Sequence, residues 1–318
     1  MLREHSRTQN KLKEDLGKLV LSALADDEIF EIILNPDGVL WVEGFKGMNE
    51  YGKMSPDAAK NLINTVASVA ETIVNIKNPS FSGELWVEFS EKFKLFRFQA
   101  FIPPVVEYPA FIIRKHAGKS IPIEEFLSDG IMTQDQAYRI MEAVKNKKSI
   151  IVGGGTQSGK TTLCNAILDY MSRVCPNDRI VIIEDTKELK CLVKNCLSLQ
   201  RTPEKSINDL IYDAMRSRPD RIIIGEVRGK EAHSLIKAWN TGHPGGLSTI
   251  HANSAESSLL RLEQLIMEAG VSPVPESIAE AVNMLVYIQK TNIGKKGRQV
   301  TEIRELKGYS KEKGYLYV

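Results

Sequence analysis

Several features that would define a protein class are missing from this sequence of 318 residues. Its four cysteines include no C-x-x-C pair, which argues against a thiolate zinc site and favours a reducing compartment over a disulfide scaffold. No apolar run approaches the roughly 18 to 20 residues that a membrane-spanning helix needs. The polar start of the chain, residues 1–18, does not resemble a secretory signal peptide. We therefore expect a soluble, cytoplasmic protein that at most rests on a membrane surface.

An excess of charge of one sign is also absent. The chain has 42 Lys and Arg against 40 Asp and Glu, a net charge of +2, so no global field would hold nucleic acid or an anionic membrane. One segment departs from this balance, since residues 290–313 contain far more basic than acidic side chains. A charge run of this kind is usually a solvated face, and we interpret it as one.

The length exceeds that of one typical domain core and favours two domains. Residues 1–115 combine helical patterns with alternating strands, which predicts an N-terminal α+β domain. Residues 116–129 contain the breakers Gly118 and Pro122 and are interpreted as a linker. From residue 130 to 318, apolar strands alternate with helices, which predicts an α/β domain with a largely parallel sheet.

The strongest motif lies between an apolar strand and a helix. The sequence GGTQSGKT at residues 154–161 matches G-x-x-x-x-G-K-[ST], in which the glycines let backbone N–H groups face a phosphate. The N-terminus of the following helix favours the same anion. Lys160 can reach the β- and γ-phosphates of a nucleotide, and the Thr161 hydroxyl can bind Mg²⁺. The predicted phosphate-binding residues are Gly154, Gly155, Thr156, Gln157, Ser158, Gly159, Lys160, Thr161 and Thr162.

Three polar clusters follow, each at the end of an apolar strand. Glu184 and Asp185 end the first, and carboxylates there can bind Mg²⁺ or orient and deprotonate a water. Glu226 ends the second, where P-loop ATPases keep an acid for metal or water, and His251 ends the third, where a polar group could sense the γ-phosphate. Each has an ordinary alternative, such as a helix cap for Asp185 or a hydrogen-bonded core histidine for His251. Their order after a P-loop favours the functional interpretation.

These motifs resemble the signatures of the secretion or traffic ATPases, which power type II and type IV secretion and type IV pili. The matching segments are IEDTKEL (183–189), MRSRPDRIIIGEVRG (215–229) and TGHPGGLSTIHANSA (241–255). The chain is most similar to the type IV secretion and conjugal-transfer branch, the TrbB-like ATPases. It lacks the four-cysteine zinc insert usual in the type II branch, and FRFQAFIPPVVEYPAFIIRKHA (96–117) resembles the end of the conjugal branch's N-terminal domain.

The resemblance implies a RecA-like P-loop domain preceded by the smaller α+β domain, in a homohexameric ring. It implies an ATP hydrolase that uses ATP and Mg²⁺ and is peripheral on the cytoplasmic face of the inner membrane. Its partners would be the inner-membrane and channel components of a secretion apparatus, without sequence-specific binding of nucleic acid.

Site roles are carried over with the same resemblance. Glu184 and Glu226 would be the acid pair that assists hydrolysis, and His251 the γ-phosphate sensor. Arg97 and Arg114 match the N-terminal arginines that contact the terminal phosphates. The metal would be held by Thr161, Glu226 and Asp185. Because Glu226 replaces the aspartate common in this motif, the identity of the general base stays open.

Other functions stay open at this point. A type IV pilus or type II secretion motor ATPase is the nearest alternative. A nucleic-acid-translocating motor would share the core, but no basic stretch interleaved with aromatic residues offers a platform for single strands. A ring scaffold that binds ATP without turnover would not need the full set of acids.

Overall fold

The computed structural model describes residues 2–44, 47–89, 92–115, 121–202, 204–291 and 297–318. The chain divides into two compact units, residues 1–118 and 119–318. Within the described ranges, no helix is both long enough and apolar enough to cross a membrane.

The first unit is a six-stranded antiparallel sheet with two helices packed on it. In sheet order its strands are β3, β2, β1, β6, β5 and β4. The elements are α1 (Leu2–Ala25), β1 (Ile29–Leu34), β2 (Val39–Gly44), β3 (Gly47–Lys53), α2 (Pro56–Val69), β4 (Ser80–Phe89), β5 (Lys92–Phe101) and β6 (Ala110–Lys115). The apolar faces of both helices and alternate strand residues form a single core, as expected where one face of a sheet is covered.

Local sequence explains most of these elements. The predicted hairpin is β1 paired with β2, and Asp37 accepts a hydrogen bond from the Val39 N–H (2.9 Å) within its turn. Strand β3 was not predicted, because its side chains are mostly exposed and carry no apolar alternation. Helix α1 bends at Gly17, whose backbone is non-helical (φ 67°, ψ 169°).

The second unit is built on an eight-stranded sheet. In order its strands are β14, β13, β12, β7, β11, β10, β8 and β9, parallel from β12 to β9 and antiparallel from β12 to β14. The helices are α3 (Ile123–Ser128), α4 (Gln134–Lys145), α5 (Lys160–Val174), α6 (Ile207–Met215), α7 (Glu231–Asn240), α8 (Ala255–Glu268) and α9 (Pro275–Ala281). The strands are β7 (Ile150–Gly154), β8 (Ile180–Glu184), β9 (Cys196–Gln200), β10 (Arg221–Val227), β11 (Leu247–His251), β12 (Met284–Lys290), β13 (Arg298–Ser310) and β14 (Gly314–Tyr317).

Two hydrophobic cores lie on opposite faces of this sheet. Ile150 and Val152 of β7 join α3, α4 and α5 on one face, whereas Ile151 joins α6, α7, α8 and α9 on the other. Successive strand residues point to opposite faces, so a strand buried on both sides reads as a continuous apolar run. This arrangement confirms the predicted α/β class.

Two segments contain structure that the sequence patterns do not predict. Part of the predicted linker, residues 116–120, lies outside the described residues, but α3 follows and buries Ile123 and Phe126 in the core of the second unit. The basic segment is more than a solvated face, because it supplies β13. There Val300 is buried, and Glu305 binds Arg139 (3.0 Å).

Candidate nucleotide site

The P-loop joins β7 to α5 through a chain path that needs glycine at two points. Gly159 precedes α5 in a left-handed conformation (φ 101°), which glycine adopts without steric cost. A Cβ at Gly154 would collide with the Ile288 carbonyl oxygen and with Ser158 Oγ. The G-x-x-x-x-G spacing therefore allows both the turn into the helix and the close approach of β12.

Lys160, the first residue of α5, turns its ammonium group back toward this loop. Lys160 is only 8% exposed, and its Nζ donates hydrogen bonds to the carbonyl oxygens of Gly154 (3.0 Å) and Gly155 (2.8 Å). Burial lowers its pKa from the ordinary value. The nearby Ser158 hydroxyl is buried and, among the described residues, has no hydrogen-bond partner. Because buried polar groups are normally satisfied, this combination suits an anion that the loop would bind.

Glu184, at the end of β8, is 4% exposed. Its Oε1 accepts hydrogen bonds from the N–H groups of Glu188 and Leu189, both at 2.8 Å. Its Oε2 is buried and without a hydrogen-bond partner in the described part of the chain. Burial raises the pKa of Glu184 to about 7, although the two N–H donors oppose that shift. Gly225 leaves room for this side chain, since a Cβ there would lie 3.1 Å from Glu184 Cγ.

Glu226 lies near the end of β10, between a guanidinium and an imidazole. Arg228 Nε donates to its Oε2 (2.8 Å), and His251 Nε2 lies 2.7 Å from its Oε1. Oε1 is nevertheless buried without a well-formed hydrogen bond from any described residue. This oxygen can therefore accept a hydrogen bond from a water or ligate a cation.

His251 connects the P-loop lysine to this acid. Its Nδ1 lies 3.5 Å from Lys160 Nζ. An ammonium group only donates, so Nδ1 is the acceptor and the ring proton is on Nε2. Burial and the charge of Lys160 lower the pKa of His251, so the imidazole is neutral at neutral pH.

Asp185 is paired with arginines in this structure. It forms ion pairs with Arg201 (3.0 Å) and Arg228 (3.8 Å). The carboxylate that contacts the Thr161 hydroxyl belongs to Glu188 (3.4 Å). Within the described ranges, no group of three or more His, Cys, Asp or Glu side chains is arranged to hold a metal. Asp185 as a ligand stays a prediction.

The sequence motifs alone assign no role to two residues of the site, Glu188 and Arg228. Glu188 lies in the same motif as Glu184, and Arg228 follows Glu226 by two residues. Their positions within the recognised segments were the available signal. Neither contact could be read from the motif alone, because each depends on how a loop folds back.

Arg97 and Arg114 belong to the first unit and lie directly opposite each other on β5 and β6. Glu84 of β4 is opposite Arg97, and Glu31 of β1 is opposite Arg114. Arg114 Nε donates to Glu31 Oε1 (2.9 Å). The two arginines therefore lie at the centre of a row of four charged residues that crosses the sheet.

Comparisons with known proteins identify the family. A family model described as "Type II/IV secretion system protein" matches residues 7–305. The "Probable conjugal transfer protein TrbB" of Sinorhizobium fredii is 43% identical over 303 residues, which cover 95% of this chain and 91% of that protein. The "Conjugal transfer protein TrbB" of Rhizobium radiobacter is 43% identical over 309 residues, covering 97% and 93%.

A solved structure shows the same fold. The Legionella pneumophila ATPase DotB aligns with a TM-score of 0.69 at 16% identity, covering 90% of this chain and 79% of that one. This likeness confirms the predicted fold class, and the predicted family resemblance is confirmed by the family match and by the TrbB relatives. The chain belongs to the type II/IV secretion system protein family.

Proposed function

We propose that this chain hydrolyses ATP to power the assembly of a type IV secretion or conjugal-transfer apparatus, or substrate transfer through it. The observation that carries the proposal is the series Lys160–His251–Glu226, in which each side chain contacts the next beside the P-loop. A P-loop that only bound a nucleotide would not need a neutral histidine in contact with its lysine and an acid in contact with that histidine. The 43% identity to two conjugal transfer proteins supports the choice of apparatus.

The chemistry assigned to these residues follows from their contacts. A water attacks the γ-phosphorus, the bond to the β–γ bridging oxygen breaks, and ADP and phosphate leave. Phosphate oxygens replace the two carbonyl oxygens that Lys160 now contacts, and its charge stabilises the transition state. The neutral His251 would sense the γ-phosphate, because it contacts Lys160 on one side and Glu226 on the other.

We assign the general base to Glu226 and a positioning role to Glu184. Arg228 holds Oε2 of Glu226, and Oε1 is left to accept the proton of the attacking water. Glu184 uses Oε1 to hold the backbone of the loop that carries Glu188. Its buried position near the end of β8 fixes that loop rather than the water.

The magnesium ion of the proposal fits the donors present. Thr161 supplies a hydroxyl, and Glu226 would reach the ion through a bound water, because its Oε1 is assigned to proton transfer. Mg²⁺ usually takes one or two protein ligands beside substrate phosphates, so the site needs no larger cluster of carboxylates. When bound, Mg²⁺ would neutralise charge on the β- and γ-phosphates. Glu188, next to Thr161, is the second carboxylate that could hold it.

The proposal extends to the assembly. Arg97 and Arg114 would contact the terminal phosphates, since a guanidinium binds phosphate oxygens in a bidentate manner. The protein would act as a homohexamer, peripheral on the cytoplasmic face of the inner membrane, with inner-membrane and channel components as partners. The support is the family membership and the pairing of the two arginines on adjacent strands.

The test is a size-resolved ATPase assay with and without lipid vesicles. Lys160→Ala should abolish measurable hydrolysis and leave the fold intact, because Lys160 is the first residue of α5 and its side chain belongs to none of the hydrophobic cores. Lys145→Ala is the matched control, since this lysine is exposed in the last turn of α4. Turnover by Lys160→Ala at the wild-type rate would refute the site. DNA-stimulated hydrolysis with a steep salt dependence would instead indicate a nucleic-acid motor.

A further inference from the structure

The P-loop borders a second element that the acid and histidine chemistry does not involve. Strands β12 and β13 form an antiparallel pair, and β12 lies beside β7. The Ile288 carbonyl of β12 is against Gly154, at the start of the loop. At its end, a Cβ on Gly159 would lie 3.1 Å from Cδ of Arg298. The pair β12–β13 therefore contacts both ends of the phosphate-binding loop.

Two basic residues of this strand pair meet at one residue of the loop. Lys290 and Arg298 are direct partners across the two strands. Lys290 Nζ donates to the Gln157 side-chain oxygen Oε1 (2.9 Å). Arg298 Nε donates to the Gln157 backbone oxygen (3.3 Å). One cation thus holds the side chain of Gln157 and the other holds its main chain.

Gln157 is a residue that needs such support. Its φ is 57°, a left-handed conformation that is strained for a residue with a Cβ. Strain of this kind persists where the surroundings determine it and is common at ligand-binding sites. The contacts from Lys290 and Arg298 are part of the surroundings that hold Gln157 in this conformation.

The position of the strand pair separates its effect from bond cleavage. His251 and Glu226 lie on β11 and β10, on one side of β7, and β12 lies on its other side. The side chains that face the reacting phosphate are therefore across the loop from Lys290 and Arg298. A contact on this second side can change how well the loop accepts phosphate without changing the groups that assist hydrolysis.

We propose that Lys290 and Arg298 are positioning residues for nucleotide binding, which hold the P-loop through Gln157 in its phosphate-accepting conformation. This inference rests on the proposed function of the same site. The two residues act on the loop and not on the base or ribose of the nucleotide. Their loss therefore lowers the affinity for every ligand that the loop binds through phosphates, whether or not the ligand carries a nucleoside.

The test uses the full chain and the variants Lys290→Met and Arg298→Gln. Affinity for a fluorescent ADP analogue and for inorganic tripolyphosphate, together with kcat and KM for ATP, is measured for each. We expect the Kd for both ligands and the KM for ATP to rise on the order of tenfold, the effect of one hydrogen bond to a charged group. The value of kcat should stay within about twofold of wild type. Lys307→Gln, an exposed lysine further along β13, is the matched control and should change nothing.

A glycine at position 157 makes the test specific. In a Gln157→Gly background the left-handed conformation carries no strain, so adding Arg298→Gln should weaken ADP binding much less than it does in wild type. Arg298→Lys should restore part of the affinity. Thermal unfolding of all variants separates this role from a general structural one, and the midpoints should agree with wild type.

Three results would overturn the inference. The first is unchanged Kd values in both single variants, and the second is a fall in kcat with KM unchanged. The third is a loss of ADP affinity with tripolyphosphate affinity retained, which would place the contacts on the nucleoside. If wild-type protein binds no ATP, the proposed function falls as well. If it binds and hydrolyses ATP while the variants behave like wild type, only the present inference falls.

Discussion

His251 Nε2 lies 2.7 Å from Glu226 Oε1. Because the other ring nitrogen faces the ammonium group of Lys160, the histidine connects the proposed phosphate-binding lysine to the proposed base. A ligand that draws Lys160 toward itself changes the environment of His251, and through it that of Glu226. The pair therefore offers a direct route by which an occupied P-loop prepares the acid that acts on water.

The two acids should respond differently to loss of charge. Glu226→Gln should bind ATP with Mg²⁺ and retain it unhydrolysed, because an amide keeps the shape of the carboxylate but cannot take a proton from water. Glu184→Gln should lower turnover less, since its amide oxygen can still accept from Glu188 and Leu189. Single-turnover hydrolysis and ATP affinity measured on each variant test this assignment. Near-normal turnover in both variants would place the base elsewhere.

The raised pKa of Glu184 predicts a pH-dependent stability. Burial lifts this pKa from the ordinary 4.5 to about 7, so between these values the folded chain holds a proton that the unfolded chain has released. The free energy of unfolding must therefore fall as pH rises through this window and level off above it. Between pH 5 and 8 wild type should lose about 2 to 3 kcal/mol relative to Glu184→Gln.

Urea unfolding of the nucleotide-free protein at a series of pH values measures this difference. Glu280→Gln is the control, because this glutamate is exposed on α9, and its profile should parallel that of wild type. Parallel profiles for Glu184→Gln and wild type would show that Glu184 titrates normally in the folded chain.

Arg97 and Arg114 should matter for turnover more than for binding. An arginine that contacts the transferred phosphate is worth about 10³ to 10⁵ in kcat, so Arg97→Ala or Arg114→Ala should nearly abolish hydrolysis with ATP affinity little changed. Arg114→Ala also leaves Glu31 without its guanidinium. The double variant Arg114→Ala with Glu31→Gln controls for that loss and should be equally inactive.

Mixing Arg114→Ala with Lys160→Ala subunits shows where the arginine acts. Partial recovery of hydrolysis would mean that it reaches a neighbour's nucleotide, and no recovery would mean that it serves its own subunit. If both arginine variants stay within a factor of a few of wild type in kcat and ATP affinity, neither residue contacts the phosphates.

Arg221 should be the most costly buried charge to remove. It is fully buried and donates to Asp178 (2.7 Å), Val144 O (3.0 Å) and Gly245 O (3.3 Å). Arg221→Met should lower the free energy of unfolding by about 3 to 5 kcal/mol, since it takes the donor from two backbone carbonyls and leaves Asp178, among the described residues, with Lys147 alone (3.2 Å). The double variant with Asp178→Asn should recover part of this loss in urea unfolding. A single variant as stable as wild type would contradict this account.

Local sequence determined much of this protein. The P-loop from Gly154 to Thr161, the acids at strand ends and the apolar runs of the parallel strands each depend on neighbouring residues only, and periodicity with turn chemistry is sufficient to predict them. The alternation of strand and helix predicts the α/β class without reference to any tertiary contact. Exposed elements such as β3 are not predicted from the sequence, because an exposed strand has no alternation of apolar residues.

The tertiary structure decided which of these pieces meet. Strand order places β11 and β10 beside β7 and so brings His251 to Lys160, although the two are 91 residues apart in the chain. The same order brings Lys290 and Arg298 to Gln157, although they lie 133 and 141 residues away from it along the chain. The tertiary structure also pairs Asp185 with Arg201 and Arg228 and places Glu188 beside Thr161. Such pairings follow from sheet order and loop path, which arise when whole faces are buried together and are not encoded in any short stretch of residues.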